Sequence, residues 1–95
     1  ALTLAQWLRA RGRLDELGRL LPELRTLASQ AGDMAIMVET ALIEGRVAFD
    51  RDRLDEAEAI VEAARAAAHG SALPALEAEA ALDLARQHAW RGRYD

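Results

Sequence analysis

The 95-residue chain has no cysteine, which excludes disulfides and thiolate metal sites. Aromatic residues make up only 4% of it, and alanine and leucine dominate its 52% hydrophobic fraction, so the residues that favour pleated strands are scarce. Small and unbranched apolar side chains suit close helix-to-helix approach instead. There is no run of about 18 apolar residues to span a bilayer, and no signal peptide is expected. With 12 basic against 16 acidic residues and a net charge of −4, the chain also lacks the basic excess that a nucleic-acid backbone selects for. The expectation is a cytoplasmic protein with no direct nucleic-acid contact and no membrane contact.

Catalytic equipment is missing too. No nucleophile stands beside a base, and neither a phosphate-cradling glycine loop nor a dinucleotide fingerprint is present. The pairs Asp15-Glu16 and Asp55-Glu56 invite an acid–base reading. Neighbours on a helix, however, point about 100° apart and do not converge on one substrate, so these carboxylates are expected to cap free amides at helix starts. His69 and His88 have no cysteine or histidine three or four residues away to complete a metal site. Structural roles are expected for both, His69 at a helix end and His88 on an inward stripe. No enzyme, catalytic residue, metal or cofactor is expected.

What is present is a repeat. Arg11-Gly12-Arg13-Leu14-Asp15-Glu16 returns as Arg51-Asp52-Arg53-Leu54-Asp55-Glu56 and begins again as Arg91-Gly92-Arg93-Tyr94-Asp95, at a spacing of 40 residues. The ungapped register also matches Ala1 with Ala41, Leu2 with Leu42, Arg25 with Arg65, Ala28 with Ala68, Ala35 with Ala75 and Glu39 with Glu79. The chain therefore reads as a single unit made of repeats 1–40, 41–80 and a partial 81–95, an excerpt of a larger protein. A repeat of this length cannot bury its own apolar face and must stack on its neighbours, which yields a surface for holding something else.

Periodicity predicts five helices with no strand: Leu2–Ala10, Leu14–Gln30, Met34–Phe49, Leu54–Ala68 and Leu73–Trp90. Gly12, Gly32 and Gly70 punctuate them, with Gly32 offering a left-handed stop and Asp33 an N-cap. The core stripe of the third carries Val38, Ala41, Leu42, Gly45, Ala48 and Phe49; that of the fourth carries Leu54, Ala57, Ile60, Val61, Ala64 and Ala68. Pro74 is tolerable in a first turn. Pro22 falls inside the second helix and predicts a kink, or two shorter helices meeting at Leu21, with Gly18 weakening the same stretch.

The repeat resembles the tetratricopeptide repeat, a helical-hairpin family with a small residue where its two helices cross and a turn reading Gly-x-Tyr/Leu-x-x-Ala. The crossing residue is Ala5, Gly45 and Ala85 in successive copies, preceded by Leu4, Glu44 and Leu84. Leu8, Ala48 and His88 occupy the family's aromatic place, and the turns are Gly12 to Leu17, Asp52 to Ala57 and Gly92 to Asp95. Leu17 and Asp52 depart from the pattern, and each copy is longer than the family's usual length. Such long copies resemble the arrays in bacterial signalling ATPases and maltose-regulon-type transcription activators. The resemblance implies an all-α solenoid of stacked antiparallel hairpins, two full copies plus the first helix of a third.

It also implies a concave side lined by first-helix residues. One column there holds Gln6, Arg46 and Arg86, and another holds Arg9, Phe49 and Ala89, with Glu39 and Glu79 bordering them. Trp7 and Trp90 either fill core or anchor an interface. Arginines at matching positions can grip an acidic peptide, or can pair with Glu39, Glu79 or Asp50 and merely solvate a face. The expected function is a protein-interaction or regulatory module that binds a protein or peptide segment, or couples neighbouring domains of its parent chain. The alternatives are a small-ligand sensor and a self-association module that pairs through exposed repeat ends as a homodimer.

Overall fold

The computed structural model describes the backbone of residues 14–94 and the side chains of residues 18–92, and four helices account for most of it. They are α1 (Leu14–Ala31), α2 (Met34–Asp50), α3 (Leu54–Gly70) and α4 (Pro74–Tyr94). Among the described residues there is no strand, so the fold is all-α. The helix expected at Leu2–Ala10, with Gln6, Trp7 and Arg9, lies outside the described residues, as does the side chain of Leu17.

Successive helices begin at residues 14, 34, 54 and 74, so each forty-residue copy is two units of one helix and one link. The half-period is hidden in the sequence because the links share backbone shape without sharing residues. Gly32, Asp52 and Ala72 all take left-handed φ values, of 63°, 61° and 55°. After α2, Asp52 N–H donates to Phe49 O (3.1 Å) and Arg53 N–H to Ala48 O (2.9 Å). After α3, Ala72 N–H donates to His69 O (3.2 Å) and Leu73 N–H to Ala68 O (2.9 Å), the same pair of bonds one unit later. They satisfy carbonyls that the helix end leaves without partners, and hold two non-glycine residues where a Cβ costs about 1–2 kcal/mol. Gly70, read from sequence as separating this helix from the next, is instead its last residue, and Ala72 makes the turn.

The link after α1 follows the sequence reading closely. Gly32 N–H reaches back to Ala28 O, and Asp33 Oδ1 accepts from the amides of Ala35 (2.9 Å) and Ile36 (3.4 Å). One of the two readings of Pro22 fails, and so does the third copy of the turn. α1 runs unbroken through Pro22, so the pair of shorter helices meeting at Leu21 does not occur. Proline removes one amide donor, but Leu21, Leu24 and Ala28 on either side are all buried, and Thr26 Oγ1 donates to Pro22 O at 3.0 Å. The third copy of the turn, Gly92-Arg93-Tyr94, is helical. One residue earlier, Arg91 binds Asp55 at 2.6 Å and Glu58 at 3.4 Å, which pins the end of α4 to α3.

Each helix packs on the next, and α2 also touches α4. On one side of α2, Ile43 and Val47 meet Leu21 and Leu24 of α1. On the other, Val38 and Leu42 join Val61, Ala64 and Ala68 of α3, and Ala80 and Leu84 of α4. The stripes expected on α2 and α3 are where the sequence placed them, but α2 is enclosed from both sides and so buries more than one stripe. Gly45 faces α3 so closely that a Cβ there would lie 2.5 Å from Val61 Cγ2, opposite a fully buried Ala57. Matching positions have matching surroundings in α1 and α3, where Leu21, Leu24 and Ala28 correspond to Val61, Ala64 and Ala68 and all six are buried. In α2 and α4 the match breaks: Leu42 is 1% exposed beneath α3, whereas Leu82 is 50% exposed because no described helix covers that side of α4.

Candidate functional site

The forty-residue register brings α2 and α4 side by side, and between them lies a cleft of about 420 Å³ lined by Arg46, Phe49, Asp50, Asp83, Arg86 and Gln87. Arg46 and Phe49 are three residues apart on α2, and Asp83, Arg86 and Gln87 are three and four apart on α4, spacings that put each set on one helix face.

Arg46 is the hub. Its Nη2 donates to Glu79 Oε1 at 2.6 Å and its Nε to Asp83 Oδ2 at 2.9 Å, so one guanidinium bridges two carboxylates a turn apart on α4. Burial disfavours its charge, yet the hydrogen bonds to Glu79 and Asp83, with their negative charges, hold the group above its ordinary pKa. Such charge-assisted bonds are short and directional, and they fix α4 against α2. Arg86 Nη1 stands 3.7 Å from Asp83 Oδ1 with its side chain 68% exposed, turned toward solvent. At the rim, Phe49 and Trp90 meet edge to face with centroids 6.2 Å apart, an aromatic contact between successive copies.

Gln87 completes the site. It is only 5% exposed, and its Oε1 is buried with no hydrogen-bond partner. A buried acceptor left without a donor costs about 1–3 kcal/mol.

Of the residues singled out from sequence, Arg46, Phe49 and Arg86 line this one cleft, Glu79 is bound to Arg46, and Trp90 stands against Phe49. Glu39 is half-buried on α2 and does not line it. Gln6 and Arg9 lie outside the described residues. The pairing of Arg46 with Glu79 was one of two readings of that arginine; the bond to Asp83 was foreseen by neither. Asp83 and Gln87 were missed, although a signal was available: the register sets Asp83 opposite Ile43 and Gln87 opposite Val47, polar residues where the preceding copy buries aliphatic ones.

The histidines face outward. His69 Nδ1 lies 3.1 Å from Glu77 Oε2, at the helix end where it was expected. His88 is exposed rather than inward, and its Nε2 lies 2.9 Å from Glu58 Oε1 of α3, because α4 turns that side toward the carboxylates of α3 and not toward the core. Among the described residues, no group of three or more potential ligands is placed to hold a metal ion. No helix of the described residues is long and apolar enough to cross a membrane. Compared with protein-family models, with curated proteins and with solved structures, the chain matches none.

Proposed function

We infer that this chain is a tetratricopeptide-like solenoid segment of a larger regulatory protein, and that it binds a partner segment in the cleft between α2 and α4. The supporting observation is that Arg46, Phe49 and Arg86, chosen from the register of the repeat, line one space with Glu79 and Trp90 at its edge. In stacked hairpins the first helices of successive copies form the inner side of the curve, where an extended partner is reached by several copies at once.

The reading is tested by binding of candidate partner peptides, followed through the amide resonances of labelled protein. A docked segment shifts the resonances of Phe49, Arg86 and Trp90 together, and Arg86→Ala weakens it. Peptide binding that perturbs none of these three would remove the cleft from the account.

Two other readings rest on particular features. The polar lining of the cleft suits a small ligand held between copies, as in a sensor of a transcription activator; saturable binding of metabolites without a peptide would favour it. The exposed row containing Ala78, Leu82 and Ala85, whose counterparts Val38, Leu42 and Gly45 are covered by α3, suits self-association. A molecular mass that rises with concentration and reverts in Leu82→Glu would favour that.

A further inference from the structure

Helix α4 carries a row of apolar side chains that no described helix covers. Ala75, Ala78, Leu82, Ala85 and Ala89 recur at alternating spacings of three and four, and all five are exposed. That alternation holds the row on one helix face, in the seam pattern of paired helices. One copy earlier the register puts Ala35, Val38, Leu42, Gly45 and Phe49 in the same places, and there α3 lies over Val38, Leu42 and Gly45. On α4 every member but Leu82 is alanine, so a second helix can approach closely.

One edge of the row is charged, and its charges are ordered along the helix. Glu79 and Arg86, two turns apart, flank the row on the side of the cleft, while Ala81 and His88 flank the other side. Glu79 gives Oε1 to Arg46 yet keeps its side chain 42% exposed. Arg86 stands 3.7 Å from Asp83 with its side chain 68% exposed. In an antiparallel pair centred between Leu82 and Ala85, Leu82 meets Ala85 of the second copy and Ala78 meets its Ala89. Each Glu79 then faces an Arg86 across the seam, twice by symmetry. A parallel pair sets Glu79 against Pro74 and Arg86 against Ala81, so neither charge meets its opposite.

We propose that two copies of this chain pair through α4, antiparallel about a two-fold axis, with Leu82 packed on Ala85 and Glu79 paired with Arg86 of the second copy. This gives the self-association reading above its geometry and rests on it, and it makes no use of the interior of the cleft.

The chain has no cysteine, so single cysteines report the pairing directly. Ala78→Cys and Ala89→Cys change exposed positions, and neither variant alone should form a disulfide dimer on mild oxidation. An equimolar mixture should form one. The geometry brings Ala78 beside Ala89 of the second copy but sets the two Ala78 positions about 16 Å apart along the axis, beyond the reach of a disulfide. In sedimentation equilibrium the mass should rise with concentration toward that of two chains. Leu82→Glu should abolish the rise with circular dichroism unchanged, and Arg86→Glu, which turns both attractions into repulsions, should raise the dissociation constant about tenfold. A disulfide dimer of Ala78→Cys alone would show parallel pairing and overturn the geometry while self-association stands. A dimer that Leu82→Glu leaves intact would put the interface elsewhere and overturn the proposal as well. A chain that stays monomeric at every concentration would remove both the proposal and the self-association reading, and leave the row to a helix of a different chain.

Discussion

Two buried positions, occupied twice, carry the contrast that matters most in this molecule. In α2 they hold Ile43 and Val47, which meet Leu21 and Leu24 in an apolar seam. One copy later in α4 they hold Asp83 and Gln87, equally buried, beside Arg46 and a cleft. The two pairs share one place in the forty-residue register and differ in side-chain chemistry and in what they touch. The aliphatic pair gains stability from removal of apolar surface from water. The polar pair must recover its desolvation from partners, and Asp83 does so through Arg46 whereas Gln87 Oε1 does not. One register position thus holds an apolar contact in one copy and a charge-assisted contact in the next.

The contrast breaks most sharply at Arg46. Arg46→Met leaves Asp83 buried without its main cation and should cost about 3 kcal/mol in urea unfolding, the low end for a broken buried pair because Glu79 is partly in water. Adding Asp83→Ile and Gln87→Val, which copies the α2 seam into α4, should return the protein to at least wild-type stability. If the triple variant stays as weak as the single one, the two seams are not equivalent. The pH response follows from the raised pKa of Arg46. Its stabilisation is complete below the ordinary arginine value and is lost only as pH climbs through a still higher one, so this group adds no slope to stability near neutrality.

Next in size are the close contacts of α2 with α3. Ala57→Leu and Gly45→Ala should each cost about 1–3 kcal/mol by overpacking, read from the melting temperature. The second runs against helix propensity, which favours alanine over glycine, so an unchanged or raised melting temperature would show that Val61 yields. Gln87→Met should raise stability by about 1 kcal/mol by removing the partnerless acceptor, while Val47→Gln at the matching place should lower it. Smallest of all, Ala72→Gly should gain about 0.5 kcal/mol, because relief of left-handed strain slightly exceeds the added freedom of the unfolded chain. Gly32→Ala should lose a comparable amount at the same backbone geometry.

Most of the architecture was readable because it rests on periodic apolar residues. The stripes of α2 and α3 and the cap at Asp33 follow from local chemistry that a single chain displays. Continuity through Pro22 was not readable, since Leu21 and Leu24 beside it are buried by a tertiary contact with Ile43 and Val47 of α2. The corner at Ala72 escaped for a related reason: alanine is a poor left-handed residue, and the two Schellman-type bonds that hold it there are visible only in three dimensions. In the cleft, Arg46, Phe49 and Arg86 stood out as matching or aromatic positions. Asp83 and Gln87 stood out only by contrast with Ile43 and Val47, a comparison of unlike residues that a search for recurring ones passes over.

The corners at residues 32, 52 and 72 act as a ruler with a parity rule. Excising residues 34–53 would hand the place of α2 to α3, whose buried stripe is made for contact with α2 and α4. Excising residues 34–73 instead joins Asp33 to Pro74 and removes one whole forty-residue step. Forty residues, not twenty, is therefore the step at which the same buried positions recur, as those of Ile43 and Val47 do at Asp83 and Gln87.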